Sequence, residues 1–557
     1  MTGIKDARVA IDQFRQAVAT LRRSRLISGM RPDKYLRMAA AIRREGRTNT
    51  IGIALSARRC PDRPALIDER GVLTYRQLDD RANALAAALQ QLPGGAPRSV
   101  AILCRNHRGF VDGLAAADRV GAHVLLLNTS FAGPALAEVV ERERPNVLIY
   151  DEEFADRVER ATTNSDIARV IAWTDAPGGP ELSIDKLIAA HAGQRPYPPR
   201  QKGSLILLTS GTTGTPKGAK RTGGGGLGEL VGVLSVVPWR AEEPVVLAAP
   251  MFHAWGYGQL VLGAMLSCTI VVRRKFEAEE TIVLVDRHQA SGLSVVPVML
   301  DRIMELPEAV RSRYSGRSLR FVTASGSRMN PDVVIRFMDQ FGDVVYNNYN
   351  ATEVGLITAA TPADLRAAPD TAGKPMPGVD VRIWDENYSE LGPNQVGQIF
   401  ARSATQFDGY TSGTTKDMND GYMASGDLGY FDHAGRLFVV GRDDEMIVSG
   451  GENVYPIEVE KSLLEHPDVA EAAVMGVDDE RFGQRFLAFV VPRPSSALTA
   501  DLLKEHVRQN LANYKVPRDI MIVQELPRSS TGKVSRKELY ALASDSQADT
   551  VGQNNGS

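Results

Sequence analysis

The densest concentration of chemistry in this 557-residue chain is the run Leu207–Gly218, LLTSGTTGTPKG, which sets three glycines, five hydroxyls and one lysine behind a short apolar strand. Thr209, Ser210, Gly211, Thr212, Thr213 and Gly214 lead into Lys217. Glycine lets successive backbone N–H groups point into one concavity, and hydroxyls add donors for phosphate oxygens. A Walker A loop needs Gly before its lysine and Ser or Thr after it; here Pro216 and Gly218 flank Lys217, so this is a phosphate loop of another kind. A flexible linker has no need of Pro-Lys-Gly. Other chemistry-bearing strings follow in order: PMFHAWGYG over 250–258, SGS over 325–327, NYNATE over 348–353, SGD over 425–427, GRDD over 441–444, VSGGEN over 448–453 and SSTGK over 529–533. Each is weak by itself. A Thr-Glu pair reads as surface, a lone tyrosine as core, Gly-Arg-Asp-Asp as a charged turn and a tail lysine as solvated.

Taken together, these strings span about 330 residues in a fixed order, and in that order they resemble the signature series of the adenylate-forming superfamily. That superfamily includes acyl-CoA synthetases, firefly luciferase and peptide-synthetase adenylation domains. The resemblance implies an α/β fold: a large N-terminal multi-subdomain α/β domain with mostly parallel sheets, followed by a small mobile α+β C-terminal domain. It also implies ATP, Mg²⁺ and CoA as cofactors. A carboxylate attacks the α-phosphate of ATP to give acyl-AMP and pyrophosphate, and a thiol then displaces AMP. The first half needs charge neutralisation and positioning where two anions meet.

The same resemblance assigns roles residue by residue. Glu353 holds the Mg²⁺ that bridges the phosphates. Tyr349 stacks on adenine, with Ser325, Gly326 and Ser327 across the base pocket and Asn348 and Thr352 beside it. Asp427 binds both ribose hydroxyls, for which a bidentate carboxylate is suited, and Arg442 is a second ribose or phosphate contact. Asp444 is the hinge of the small domain. Lys533 bridges carboxylate and α-phosphate oxygens, a task suited to a compact mobile ammonium; only 14 of the 65 basic residues are lysine, which sets Lys217 and Lys533 apart. Ser449, Gly450 and Gly451 leave room for the pantetheine arm of CoA. Two positions depart from the family pattern: Asn350 stands where Gly is usual, and Ser425 where Thr is usual.

His253 is placed at the acyl pocket mouth, with Trp255, Tyr257, Val298 and Met299 forming an apolar slot. The stretch Pro250–Leu266 carries no acidic residue, which disfavours amino-acid substrates. The leading reading is therefore an acyl-CoA ligase for a fatty or other apolar carboxylic acid. The alternatives are a fatty acyl-AMP ligase loading a carrier protein, or an aryl-CoA ligase. Carrier-loading enzymes carry an insertion that restrains the small domain, and none is evident around residues 355–380.

The elements that must position these residues alternate regularly. Thr74 is an N-cap for a helix with apolar face Leu78, Ala82, Leu85 and Leu89. Strands are expected at 100–103, 124–127, 147–150, 204–208, 245–248 and 319–323, separated by helix-length stretches, which argues for parallel sheet covered on both faces. Residues 250–272 lack any Asp, Glu, Lys or Arg and are long enough to cross a bilayer, yet their glycines, Gln259 and Ser-Cys-Thr run read as a loop, a buried helix over 259–266 and a strand over 269–272. Four regions result: a basic helical extension over 1–48, the large domain over 49–441, the small domain over 442–543 with helices at 456–466 and 500–511 and strands at 470–477 and 487–491, and a polar, disordered tail over 544–557.

Composition bounds the rest. Hydrophobic residues are 43%, charged residues 24% and net charge −2, which excludes a disordered chain and a nucleic-acid binder working by bulk charge. Cys60, Cys104 and Cys268 are scattered, excluding a disulfide framework or structural zinc and fitting a cytoplasmic protein without signal peptide. Basic bias is local: residues 1–50 hold twelve Lys or Arg against four Asp or Glu. Their stripe Ile11, Phe14, Val18 and Leu21 fits a helix lying on the inner face of a membrane, or one packed on its own domain or at a homodimer contact.

Overall fold

Thr74 caps its helix as expected: its side chain accepts from the Gln77 N–H while the Gln77 side chain accepts from the Thr74 N–H, and the helix runs Tyr75–Gln90 with Leu78, Ala82, Leu85 and Leu89 buried. The computed structural model describes residues 14–543 apart from 28, 47, 132, 164, 177–181, 200, 210–216, 223–225, 443–446, 450–451, 455, 480–482, 512–514, 530–531 and 537. The chain forms two compact units, Met1–Val381 with Ala401–Met423, and Arg382–Phe400 with Ala424–Ser557.

The first unit is built on two sheets. In one, six parallel strands run in the order Val345–Ala351, Phe321–Ala324, Gly292–Val295, Pro244–Leu247, Thr269–Val271 and Pro64–Asp68, with antiparallel strands at either edge. In the other, Leu205–Thr209, His123–Leu126, Ser99–Leu103, Val147–Asp151 and Ala168–Trp173 are parallel, and Leu205–Thr209 turns back as a hairpin into Lys217–Arg221. Parallel strands covered on both faces must be apolar throughout, and Val100, Ala101 and Ile102 are all fully buried.

Residues 254–258, read from the sequence as loop, are helical. The helix spans Ala254–Met265 because Gly256 sits where a Cβ would come within 2.2 Å of the Pro250 carbonyl, so the glycine serves close packing rather than a break. Among the described residues no helix is long and apolar enough to cross a membrane. The helical segment 14–23 packs on the core through buried Leu21, and the Ala241 N–H donates to the Ser24 carbonyl at 2.7 Å. Phe14 is exposed, as are Tyr35, Leu36 and Ile42 of the next helix, Pro32–Glu45. Residues 1–13 of the basic extension and the tail over 544–557 lie outside the described residues.

In the second unit, helices Pro456–Leu464 and Ala500–Asn510 bury Val459, Leu463, Leu503 and Val507 against Val474, Ala488 and Val490 of the strands Val469–Asp479 and Gly483–Pro492. Residues 424–441 also fall in this unit, earlier than the sequence rhythm places the junction. The reason is pairing: the strand Tyr422–Phe431 runs antiparallel to Leu437–Arg442, and the Ser425 hydroxyl donates to the Ile399 carbonyl at 3.0 Å.

Candidate active site

The phosphate loop joins two antiparallel strands, and Thr209 faces Lys217 across its base. Its ends are therefore pinned, although Ser210, Gly211, Thr212, Thr213 and Gly214, like the Thr209 side chain, lie outside the described residues. The Lys217 side chain is exposed, its ammonium 5.6 Å from the centre of the Tyr410 ring. Tyr410 in turn donates its hydroxyl to Glu353 Oε1 at 2.6 Å, and the Phe407 N–H donates to the Glu353 carbonyl at 2.7 Å. The short strand Gly409–Tyr410 pairs with Lys217–Arg221 itself, and Arg221 Nη2 donates to the Thr352 carbonyl at 2.6 Å. The loop lysine and the acidic residue, 136 positions apart in sequence, are thus tied through one tyrosine and one arginine.

Ser325, Gly326 and Ser327 leave the carboxyl end of Phe321–Ala324, the edge where open α/β sheets bind ligands. Gly326 has φ +111°, a conformation that a side chain would resist. Asn348, Tyr349 and Thr352 come from the neighbouring strand and the turn after it, and Tyr349 is half-buried. The register shifts between Tyr349 and Asn350, a β-bulge three residues ahead of Glu353. Asn350 has a use here: the buried Ser325 hydroxyl donates to its Oδ1 and, at 2.6 Å, to the Asn348 carbonyl, so the side chain that replaces glycine ties the two strands together.

His253 is the N-cap of the helix Ala254–Met265, its ring against Phe252 at 4.5 Å. Trp255 donates its indole N–H to the Val295 carbonyl at 2.9 Å. Tyr257 and Val298 are half-buried; Met299 is fully buried in the core. Burial pushes the Tyr257 hydroxyl pKa well up. Asn106, buried, had no sequence signal, yet it holds the start of this segment: it accepts from the Met251 N–H at 2.8 Å and donates to the Ala249 carbonyl at 2.9 Å.

In the second unit, Asp427 and Arg442 face each other across the antiparallel pair, with Arg442 Nη1 3.7 Å from Asp427 Oδ1. The Asp427 N–H donates to the Ser425 hydroxyl at 3.1 Å, so serine in place of the usual threonine keeps its structural hydrogen bond. Lys533 is exposed on a tight turn in which the Ser529 N–H donates to the Lys533 carbonyl at 2.7 Å. Ser449 lies in the strand Ile447–Ser449; its side chain, and Asp444, Gly450 and Gly451, fall outside the described residues.

Two acids test the metal expectation. Glu353 is buried, and among the described residues only one of its carboxylate oxygens is bonded, to Tyr410, which suits Mg²⁺ held by one or two carboxylates together with phosphate oxygens. Cys104, His107 and Asp151 also have metal-ligand chemistry and lie close together, fully buried. Their needs are met internally: the Gly109 N–H donates to His107 Nδ1 at 3.0 Å, His107 Nε2 donates to Asp151 at 2.7 Å, and the Arg105 N–H donates to the other Asp151 oxygen at 2.9 Å. The group braces the strand ends, and its thiol is unsuited to Mg²⁺.

Comparison with known proteins agrees with this geometry. Residues 53–411 match the family model of AMP-binding enzymes, and residues 458–533 that of the AMP-binding enzyme C-terminal domain. The chain is 32% identical over 479 residues to an indoleacetate–CoA ligase of Aromatoleum aromaticum, covering 84% of this chain and 93% of that one. It is 30% identical to a 2-succinylbenzoate–CoA ligase of Bacillus licheniformis, covering 86% and 97%. The structure of o-succinylbenzoate CoA synthetase from Bacillus subtilis with its acyl-adenylate intermediate superposes with a TM-score of 0.75 at 26% identity, covering 88% and 98%.

Proposed function

The chain belongs to the AMP-binding enzyme family, and we propose that it is an AMP-forming ligase joining an aromatic carboxylic acid to CoA. The observation that carries the aromatic choice is the chemistry of its relatives, which act on indoleacetate and 2-succinylbenzoate. This replaces the fatty acid favoured by the sequence alone. Trp255, Tyr257 and Val298 offer apolar surface, and apolar surface does not distinguish a ring from a chain. Free CoA is favoured over a carrier protein because residues 355–375 are filled by a strand, a short helix and a second strand, with no added restraint.

In the first half-reaction a carboxylate oxygen of the acid attacks the α-phosphorus of ATP, and the bond to pyrophosphate breaks. The backbone of the phosphate loop and Lys217 hold the polyphosphate. Glu353, oriented by Tyr410, would hold Mg²⁺, which supplies charge neutralisation to the phosphate oxygens. Tyr349 and Ser325–Ser327 bracket the adenine, and Asp427 and Arg442 take the ribose. Lys533 supplies a positive charge to the oxygens between acid and phosphate as negative charge shifts there. In the second half-reaction the CoA sulfur attacks the acyl carbonyl and AMP leaves, with Ser449–Gly451 beside the pantetheine arm and Asp444 as pivot between the two steps.

The test is AMP release by the full-length protein with ATP, Mg²⁺ and CoA over a panel of arylacetic, benzoic and fatty acids. Aryl acids should give the highest kcat/KM. A fatty acid exceeding every aryl acid tenfold would return the substrate to the chain type, and acid-dependent AMP release only with a carrier protein would exclude CoA.

A further inference from the structure

The basic, apolar stretch ahead of the large domain takes no part in the ligase chemistry, and the family match begins only at residue 53. Its two helical segments do different things. The segment 14–23 turns Leu21 into the core, so its apolar stripe serves packing. The helix Pro32–Glu45 is fastened along one side and open along the other. At about 3.6 residues per turn, Lys34, Met38, Ala41 and Glu45 share one face. Ala41 is buried and the other three are half-buried. The Lys34 ammonium donates to the Arg59 carbonyl at 2.6 Å, and Glu45 lies 3.8 Å from the Arg119 guanidinium. The opposite face carries Pro32, Leu36, Ala39 and Arg43, all exposed. Tyr35 and Ile42 flank it on one side, Arg37 and Arg44 on the other, and these too are exposed. Leu36 is 73% exposed, Tyr35 47% and Ile42 43%. Among the described residues, five of the fifteen exposed large apolar side chains fall between Phe14 and Ile42. That is denser than the single apolar residues scattered over an ordinary surface.

Charge decides what covers the face. On the outward side Arg31, Arg37, Arg43 and Arg44 stand against Asp33, which Arg31 already holds at 3.1 Å and Arg37 at 2.9 Å. Glu45, the other acid of the helix, belongs to the fastened face. Apolar side chains interleaved with arginines match a surface that is apolar within and anionic without, which is the boundary of a bilayer with acidic headgroups. Nucleic acid would use the arginines and leave Leu36 and Ile42 in water. We infer that the helix Pro32–Glu45 docks on an anionic lipid surface, with Tyr35, Leu36 and Ile42 entering the headgroup layer and Arg37, Arg43 and Arg44 meeting its phosphates. Arg43, at the centre of the face, reaches the headgroups by laying its methylene stem along its apolar neighbours. The helix lies in the interface and does not span it, because its other face stays fastened to the first unit.

The test is co-sedimentation of the full-length protein with vesicles of phosphatidylcholine alone, or of phosphatidylcholine and phosphatidylglycerol in equal parts, at low and high salt. Partitioning should require phosphatidylglycerol and fall as salt rises. Leu36→Ser with Ile42→Ser should weaken it about tenfold at either salt. Arg43→Gln with Arg44→Gln should weaken it about 25-fold at low salt, about fivefold for each arginine, and much less at high salt. Both pairs lie in water, so the unfolding midpoints of the variants should match the parent. No partitioning, equal partitioning onto both vesicles, or partitioning unchanged in both double variants overturns the proposal. So does a loss confined to the arginine pair, which would mark a surface for another polyanion. A two-chain mass in sedimentation velocity that falls to one chain in Leu36→Ser with Ile42→Ser would assign the face to a second copy of this chain instead. None of these readouts uses turnover, so the ligase reading stands or falls apart from them.

Discussion

In the first unit the guanidiniums of Arg108 and Arg119 lie against Asp68 and Asp79 with almost no solvent access, at 2.5 and 2.6 Å. In the second, the pairs Arg442–Asp427, Arg485–Asp519 and Arg528–Glu471 all keep at least one partner partly wet, and among the described residues no pair there is fully buried. The difference extends to the functional residues: Glu353 is buried and held by a tyrosine, whereas Lys533 is exposed on its turn. A buried pair that loses one partner leaves a charge in low dielectric, so such pairs lock a platform into one arrangement. Exposed pairs exchange with water at little cost and leave a unit free to present different side chains. The first unit is built as a fixed floor, its charges paired out of water; the second keeps its charge on the surface.

The sharpest way to break this comparison is in the floor. Asp68→Asn should destabilise the first unit by about 3 kcal/mol, measured by denaturant unfolding, because Arg108 then stays buried without its counter-charge. Burial pushes the Asp68 carboxyl up, but the hydrogen bonds and charge of Arg108 outweigh it and hold the pKa below the usual range. A depressed folded-state pKa adds stability above the ordinary carboxylate range and loses it as pH falls through the folded value. The deficit of the variant should therefore be full near neutral pH and shrink only below about pH 4. An equal deficit at every pH would show that lost packing, not charge, is responsible.

On the other side, Lys533→Ala should slow adenylate formation by about 100-fold, the scale for one preorganised charge contact, yet spare thioester formation from supplied acyl-AMP. Equal damage to both half-reactions would show that the lysine is structural. Tyr410→Phe returns to the floor and removes only the hydroxyl that orients Glu353. A loss of about tenfold in kcat, with a raised Mg²⁺ requirement, is expected for one hydrogen bond to a charged group; an unchanged Mg²⁺ dependence would separate Glu353 from the metal. The smallest effect should come from Arg485→Ala, less than about 1 kcal/mol for a pair with its acid half in water. A loss as large as that of Asp68→Asn would erase the contrast between the units.

Much of this was legible beforehand where the signal is local. The cap at Thr74, the buried parallel strands and the two helices of the second unit follow from residue type and short-range period, and they stand where the sequence places them, within a few residues at their ends. The helix at Ala254–Met265 was read five residues short because Gly256 carries two meanings, breaker and close-packing residue, and sequence does not say which applies. Tyr410 and Asn106 had no motif at all. Their partners, Glu353 and the Pro250–His253 segment, lie 57 and about 145 positions away.

By itself the sequence determined which chemical groups the chain owns and in what order: a glycine–hydroxyl loop with its lysine, an acid after an aromatic, a Ser-Gly-Asp, and a late lysine. Order sufficed for the family because each motif is a contiguous string whose backbone demands are met locally. Only the tertiary structure decided which of those groups are joined. Strand pairing brings Tyr410 beside Lys217 and turns its hydroxyl to Glu353, the bulge after Tyr349 gives Asn350 a place against Ser325, and Arg221, an ordinary strand residue in the sequence, becomes a half-buried cation bonded to the Thr352 carbonyl beside Glu353. Burial is the physical reason. A charge in water has little need of any particular neighbour, whereas the same charge buried is defined by whichever groups the fold sets around it.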